Sequence, residues 1–319
     1  MDTLYFFVQQ MMPFTIPLLV VALAGMFSER SGVVNIALEG IMVMGAFTGT
    51  LTIYFLQKFE ILSGNALLLL ALVVAMLTGI LYSLLHAIAS INMMADQTIS
   101  GTALNLFASA FSIFVARSII GVQQIPFSNQ FFINKVPLLG DIPIIGPMLF
   151  QKTYILNLIG LIVLVTAQIV LYKTRFGLRL RSAGEYPQAT DAAGISVVKT
   201  RYAGVLISGA LAGMGGLIYI IPISTQFNGT VAGYGFLAVA VLIFGQWKPK
   251  TVALAAFFFG FLKTVSASYQ GISFLYELNI PGVVYKVLPY LITIVVLFLT
   301  SKKSAAPASL GEPFDKGKR

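Results

Sequence analysis

The residues of this chain that could do chemistry are few, and the first two lie inside an apolar run. Glu39 falls within Val33–Leu56, and Asn35 precedes it by one helical turn. A charged group inside an apolar span is costly and normally faces a cavity or a polar partner. Asn35 and Glu39 are therefore candidates for lining a solute path. A structural ion pair between Glu39 and Arg30 is the alternative, which the short distance from Glu39 to the loop favours.

Further polar residues suggest hydrogen bonding to a solute. Asn105 lies in a later apolar run, and Gln226, Phe227 and Asn228 follow Pro222 in a polar break between two runs. Amide side chains can hydrogen-bond a polar solute, and an aromatic ring beside them could stack on a sugar or a base. These four residues join Asn35 and Glu39 as candidate path residues. Hydrogen bonding between packed helices is the common alternative for such amides.

The groups that enzymes use are almost absent. The chain has no Cys and one His, His86, and a single His cannot by itself form a metal site. The sequence contains no phosphate-binding G-x-x-x-x-G-K-S/T loop, no G-x-S-x-G nucleophile motif and no H-E-x-x-H zinc motif. We therefore predict that the chain is not an enzyme and has no catalytic residue, no metal and no cofactor. The absence of these motifs from the sequence also weighs against an intramembrane enzyme.

The composition places these polar residues in a membrane. Hydrophobic residues make up 58% of the 319 residues, and charged residues make up 10%. Soluble domains carry about 25% charged residues, so this chain has too little polar surface to face water. The net charge of +9 is spread between apolar runs, which favours membrane orientation over nucleic-acid binding.

Runs of about 20 apolar residues predict membrane-crossing helices, because that length crosses the hydrocarbon core and a helix satisfies its own backbone groups. We predict an all-α polytopic transmembrane bundle with about nine spans, within a range of eight to ten. The predicted spans are Tyr5–Phe27, Val33–Leu56, Ala66–Ile91, Gln97–Ala116, Thr153–Tyr172, Tyr202–Pro222, Gly233–Gln246, Thr251–Ser268 and Val283–Thr300. The seventh is short and rich in glycine at its start, so it is either a full crossing or a re-entrant half-helix.

The Lys and Arg residues between the spans predict the orientation. With the C-terminus in the cytoplasm, 14 of the 20 Lys and Arg residues lie in cytoplasmic loops and four in outside loops. Basic loops stay on the cytoplasmic side, so we predict the N-terminus outside and the C-terminus inside. Residues 1–300 form the predicted transmembrane domain. Residues 301–319, rich in Ala, Pro, Ser and Lys, are predicted to be a disordered cytoplasmic tail.

The cytoplasmic loop Lys173–Arg201 carries the signals of a short helix. Pro187 suits the first helical position, Glu185 puts negative charge near the helix start, and Gly194 suits a left-handed stop. These residues predict a helix over Pro187–Ala193. On these signals alone, an ordinary basic loop that only fixes orientation is equally compatible with the sequence.

Three stretches carry a resemblance to a known family. They are Ser28-Glu-Arg-Ser-Gly-Val-Val-Asn-Ile-Ala-Leu-Glu-Gly-Ile-Met42, Arg175-Phe-Gly-Leu-Arg-Leu-Arg-Ser-Ala-Gly-Glu185 and Asp191-Ala-Ala-Gly194. They resemble permeases of ABC importers, in the branch that moves branched-chain amino acids, simple sugars and nucleosides. The first stretch is most similar to nucleoside permeases that work with a basic-membrane-protein lipoprotein. In the wider family an Ala-Ala-x-x-x-Gly motif forms the coupling helix. Here Gly194 follows Ala193 directly, a departure that fits this branch.

The resemblance covers about Tyr5 to Thr300 and implies both a function and a set of partners. The chain would be the permease subunit of an ABC importer in the bacterial cytoplasmic membrane, forming the path for a small polar solute such as a nucleoside or simple sugar. Its partners would be a cytosolic ABC ATPase, a second, homologous permease in a heterodimer, an extracytoplasmic substrate-binding lipoprotein and membrane lipid, without nucleic acid. The residues expected to contact the ATPase are Glu185, Tyr186, Pro187, Gln188, Asp191, Ala192, Ala193 and Gly194.

An ion-gradient-driven secondary transporter is the alternative function. Such proteins often carry carboxylates at the membrane midplane and internal repeats. Only Glu39 offers such a carboxylate in this sequence, and no repeat is visible.

Overall fold

The computed structural model describes residues 2–268, 281–285, 287, 291–292, 294, 305–315 and 317. Within these ranges most of the chain is helical. The helices are α1 (Asp2–Glu29), α2 (Leu38–Lys58), α3 (Gly64–Ala87), α4 (Gln97–Ile120), α5 (Ile155–Lys173), α6 (Arg175–Glu185), α7 (Pro187–Ala192), α8 (Val197–Ile223), α9 (Tyr234–Phe244) and α10 (Pro249–Ser268).

Seven helices of the described part of the chain are long and apolar enough to cross a membrane. They are α1, α2, α3 together with the π-helical turn Ile88–Asn92, α4, α5, α8 and α10. Each coincides with one of the predicted spans, which confirms a polytopic helical bundle. The predicted count of nine is not reached within the described ranges, since the seventh predicted span contains only a short helix and most of the ninth, Val283–Thr300, lies outside the described residues.

The seventh predicted span, Gly233–Gln246, is a half-helix. Its helical part, α9, has 11 residues and is about 16 Å long at 1.5 Å per residue, about half the thickness of the hydrocarbon core. The helix begins inside the bundle rather than at its end. A Cβ atom built on Gly235 would lie 2.4 Å from the Cα atom of Glu39.

The second predicted span starts later than its apolar run. The prediction began at Val33, whereas α2 begins at Leu38 and the residues between are not helical. Gly32 has a φ of +95°, a left-handed value that most side chains disfavour. The chain therefore turns after α1 and re-enters the bundle as a short non-helical segment before α2 starts.

Small residues bring α2, α3 and α8 into close contact. A Cβ atom on Gly45 of α2 would lie 2.2 Å from the carbonyl oxygen of Gly213 in α8, and one on Gly79 of α3 would lie 2.1 Å from that of Gly209. Membrane helices depend on such close backbone approach, because lipid supplies no hydrophobic drive for helix association.

One end of the bundle carries short strands, which the all-α prediction did not include. β1 (Ile125–Pro126) pairs with β4 (Gln226–Phe227), and β2 (Phe132–Lys135) pairs with β3 (Gln151–Tyr154), both antiparallel. The strands satisfy backbone groups of the long loop between α4 and α5. They are two to four residues long, too short for a recognisable alternating pattern.

The opposite end of the bundle gathers the basic loops, and we call it the basic end. It comprises the turn after α1, helices α6 and α7, residues 245–248 and residues 305–315. These parts touch one another, since Arg30 binds Glu185 and the backbone of Trp247. The loops that the charge distribution assigned to one side of the membrane thus lie together.

Residues 305–315 differ from the predicted disordered tail. They form a turn packed on the basic end, with Ser309 and Phe314 buried. This segment is rich in Ala and Pro, but its backbone donors meet loop carbonyl groups, such as that of Gly32, that need partners. Leu310 and Phe314 add apolar anchors that are too few to dominate the composition.

Candidate coupling and translocation sites

Helix α7 forms as the sequence signals predict, and a further helix, α6, precedes it. Thr174 caps α6 by accepting a hydrogen bond from the backbone of Gly177 at 3.1 Å. Pro187 opens α7, and Gly194 follows it with a φ of +79°. The predicted helix Pro187–Ala193 is thereby confirmed, one residue shorter at its end. The hydroxyl of Thr190 faces back into the structure, where it donates to the carbonyl oxygen of Tyr186 at 2.9 Å.

The predicted coupling residues divide into an exposed set and an anchored set. The side chain of Tyr186 is 70% exposed, and Gln188, Ala192, Ala193 and Gly194 are exposed too. Asp191 and Glu185 are half-buried, and Pro187 is buried. One side of α7 is therefore packed on the protein while the other is open to a partner.

Glu185 anchors the start of α7 to the turn after α1. Its Oε1 lies 3.4 Å from Nη1 of Arg30. Arg30 also donates from Nη2 to the carbonyl oxygen of Trp247 at 2.9 Å, and the indole of Trp247 donates to Oε2 of Glu29 at 2.6 Å. Three segments of the basic end thus meet at Arg30. The predicted ion pair between Arg30 and Glu39 is wrong, because Arg30 turns toward Glu185 instead.

Glu39 caps the start of α9. Its Oε1 accepts from the backbone N–H of Gly233 at 2.9 Å, and its Oε2 accepts from that of Gly235 at 2.6 Å. The first N–H groups of a helix lack partners within the helix and carry partial positive charge. A carboxylate is therefore a well-suited partner, and it lets α9 begin within the bundle.

Asn35 and Asn105 hold the segment that leads into α2. The amide of Asn105 accepts from the backbone of Gly40 at 2.7 Å and donates to the carbonyl oxygen of Ile36 at 2.9 Å. Asn35 donates to the hydroxyl of Ser208 at 2.9 Å and is fully buried. The structure thus brings Asn35, Glu39 and Asn105 together around one interruption of the helices.

The other predicted path residues lie toward the strand-bearing end. Gln226 and Phe227 form β4, and the ring of Phe227 is buried with its centroid 6.4 Å from that of Phe47. Asn228 is exposed. Beyond it the chain runs between helices, where Gly229 lies against Ile113 of α4. Irregular backbone at membrane depth is tolerated where it is buried in protein or lines a water-filled cavity.

A cavity of about 390 Å³ opens beside the start of α9. Its lining residues are Ala232, Gly233, Phe236, Leu237, Ala240, Lys263 and Ile294. Cavities of about 300–1,000 Å³ with apolar walls and a few polar groups are typical binding sites for small molecules. This one is apolar apart from Lys263 and the backbone of residues 232–233.

The ammonium group of Lys263 in this cavity lies close to aromatic rings. The ammonium of Lys263 lies 5.7 Å from the ring centroid of Tyr234, and that ring lies 4.0 Å from the ring of Tyr219. We did not include Lys263, Tyr219 or Tyr234 among the candidate path residues. The signal was the presence of Lys263 inside an apolar span, where a cation normally marks a functional site.

No group of three or more potential metal ligands occurs among the residues that the structure describes. The two sites instead have features of binding surfaces. At the basic end, α7 exposes one face to solvent, and within the bundle the half-helix α9 lies beside a cavity.

Comparisons with known proteins identify the family of this chain. Residues 8–297 match the model of the family described as the branched-chain amino acid transport system / permease component. The chain is 43% identical over 308 residues to the guanosine ABC transporter permease protein NupQ of Bacillus subtilis, covering 95% of this chain and 94% of that protein. It is 40% identical over 321 residues to the nucleoside ABC transporter permease protein NupC of Lactococcus lactis subsp. cremoris, covering 99% of both.

A more distant relative comes from the same Bacillus subtilis strain as NupQ. The guanosine ABC transporter permease protein NupP is 27% identical over 297 residues, covering 89% of this chain and 78% of that protein. No solved structure matches the chain.

Proposed function

This chain belongs to the family of branched-chain amino acid transport system permease components, and from that premise we propose that it carries nucleosides as the permease subunit of an ABC importer. It is a multi-pass membrane protein, and the family assignment replaces the ion-gradient alternative. Its described residues 2–268, with the helical residues 282–285, 287, 291–292 and 294, fit a permease domain spanning residues 1–300. Similarity to two proteins named for nucleosides and guanosine supports the choice of solute.

The proposal is supported mainly by the observation that α7 is anchored at one end and exposes one face. A permease without its own nucleotide site receives work through a mechanical contact with an ATPase. Helix α7 offers such a contact, because it is fixed at Glu185 and open at Gln188, Ala192 and Ala193. We assign the residues from Glu185 to Gly194 to the ATPase-binding surface.

Enlarging two small residues of this face tests the assignment. Ala192→Arg combined with Ala193→Arg should overfill the contact, so that copurification of the cytosolic ATPase and nucleoside uptake fall by about tenfold or more, a loss of about 1.4 kcal/mol. Met93→Arg, at an exposed position between α3 and α4, is the matched control. Normal copurification and normal uptake by the double variant would refute the coupling role.

The proposed orientation has the basic end in the cytoplasm. The clustering of Arg30, residues 173–201 and residues 248–250 at one end supports it, because basic segments remain cytoplasmic. The chain has no native Cys, so single cysteines can be placed at will. A cysteine at Ser128, in the strand-bearing end, should react with an impermeant reagent in intact cells, and one at Ser304 should not. The reverse result would overturn the orientation.

We further propose a second permease and an extracytoplasmic lipoprotein as partners. Bacillus subtilis contains two different relatives of this chain, NupQ and NupP, both named as guanosine permeases. That pairing supports a heterodimer of homologous permeases. Coexpression tests this proposal: the chain should purify with the homologous permease in a 1:1 complex, and a stable complex of this chain with itself alone would contradict it.

The proposed solute path runs from the strand-bearing end to the cavity beside α9. Gln226, Phe227 and Asn228 stand at its entrance, and residues 229–233 lead inward. At the cavity, Phe236 offers a face on which a base can stack. Lys263 can donate to oxygen atoms of the solute. The path is also shaped by the non-helical segment before α2 and by the start of α9. These two features are held in place by Asn35, Glu39 and Asn105.

Two variants test the path. Lys263→Met keeps an unbranched side chain of nearly the same length and removes its donors, so we expect the apparent KM for nucleoside uptake to rise by about tenfold with unchanged membrane levels. Lys250→Met, an exposed position on the same helix, is the matched control. Replacing Gln226, Phe227 and Asn228 together by Ala should also reduce uptake. Normal uptake kinetics in both variants would exclude this route.

A further inference from the structure

Residues 305–315 cross the basic end and contact the turn after α1, the end of α6, the start of α8 and Gln246. We propose that this segment is a strap that fixes α7 to the bundle, so that movement of α7 reaches the membrane helices. The inference rests on the proposed function, because α7 transmits work only if it binds the ATPase. Its residues would position the coupling helix without themselves contacting the solute.

The first half of the strap joins the α9–α10 turn to the end of α6. The backbone N–H of Ala305 donates to Oε1 of Gln246 at 2.8 Å. The N–H of Ala308 donates to Oε2 of Glu185 at 3.1 Å, and the N–H of Ser309 donates to the carbonyl oxygen of Gly184 at 2.9 Å. Glu185, the last residue of α6 before α7, is therefore held by the strap on one oxygen and by Arg30 on the other.

The second half of the strap joins the turn after α1 to the start of α8. The N–H of Gly311 donates to the carbonyl oxygen of Gly32 at 3.0 Å. Nη1 of Arg201 donates to the carbonyl oxygen of Glu312 at 2.8 Å, and the charge of Glu312 attracts the same guanidinium. Arg201 is almost fully buried, and the strap supplies a hydrogen-bond acceptor to this buried cation.

An apolar anchor ends the strap. Phe314 is buried in a small cluster with Ala183 of α6 and Val197 of α8. The helices on both sides of α7 are thus held by the same side chain. With the strap in place, α7 cannot move freely as a loop, because both of its flanks are tied to the turns after α1 and α9. Without it, the side chain of Glu185 would keep its 3.4 Å contact with Arg30 as its one polar contact among the described residues.

The ratio of solute moved to ATP hydrolysed measures this role directly. A truncation after Lys303 removes the strap, and Phe314→Ser removes only its apolar anchor. The matched controls are removal of residues 316–319 and Asp315→Asn, an exposed position. Each variant is purified with the ATPase and the second permease, reconstituted in proteoliposomes with the lipoprotein, and assayed for ATP hydrolysis and nucleoside uptake.

We expect both strap variants to retain the ATPase and its hydrolysis, while the nucleoside moved per ATP falls by about fivefold or more, the lower end of typical coupling between sites. Both controls should match the unaltered chain. A ratio within about twofold of the unaltered chain in both strap variants would overturn the proposal. Loss of the ATPase from Phe314→Ser would also overturn it, because the strap would then serve assembly. If the unaltered chain itself does not bind the ATPase, the proposed function fails instead, and the strap's role fails with it.

Discussion

The Glu39 carboxylate is expected to determine whether α9 keeps its place in the bundle. It accepts two backbone hydrogen bonds, from Gly233 at 2.9 Å and from Gly235 at 2.6 Å. Hydrogen bonds to charged groups contribute about 1.5–3 kcal/mol each. Glu39→Ala removes both acceptors and should cost about 3–6 kcal/mol. Glu39→Gln keeps one carbonyl oxygen but turns an NH₂ group toward the second donor, so it should cost about 1.5–3 kcal/mol.

Thermal unfolding of the purified transporter in nanodiscs, together with nucleoside uptake, measures this effect. The unaltered chain should be most stable, Glu39→Gln intermediate and Glu39→Ala least stable, with uptake falling in the same order. Glu60→Ala is the matched control, because Glu60 is an exposed carboxylate just beyond the other end of α2, where substitutions change stability by less than about 0.5 kcal/mol. Equal melting temperatures for Glu39→Ala and the control would refute the capping role.

Three further substitutions test the packing around these sites. Gly235→Ala would place a methyl group 2.4 Å from the backbone of Glu39, and we expect a loss of about 1–3 kcal/mol in thermal unfolding; unchanged stability would show that α9 starts elsewhere. Trp247→Phe removes the indole N–H that binds the buried carboxylate of Glu29, and unfolding should cost about 1.5–3 kcal/mol less; rescue by Glu29→Gln in the same background would support this cause. Gly213→Ala would bring a methyl group to 2.4 Å from a carbonyl oxygen of α3, so membrane levels should fall, whereas normal levels would indicate that the α3–α8 contact is looser.

The local features of this fold could be predicted because their signals lie close together in the sequence. Apolar runs of membrane length located the seven long helices. Pro187 and Gly194, seven positions apart, predicted the short helix α7 at the position where it occurs. The glycines at 233 and 235 raised the possibility of a half-helix, which α9 confirms.

Partners that are far apart in sequence could not be predicted in the same way. Glu39 binds the backbone of Gly233, 194 positions away, and backbone donors leave no mark on residue type. An ion pair with the nearby Arg30 was the natural expectation, yet Arg30 finds Glu185, 155 positions away. The strap escaped prediction for a related reason. Its composition predicts disorder, while most of its contacts are made by its backbone.

The contacts of α9 connect the two candidate sites through one short stretch of chain. Arg30 binds the carbonyl oxygen of Trp247, just after the end of α9, and Glu39 caps the start of the same helix. Arg30 and Glu39 are nine positions apart in the sequence, so one short stretch of chain after α1 contacts both ends of α9. Arg30 also binds Glu185 at the end of α6, two residues before α7. A displacement of α7 can therefore reach both ends of α9 through two side chains. Because Phe236 and Leu237 of α9 line the cavity, a shift of this half-helix would change the space available to the solute.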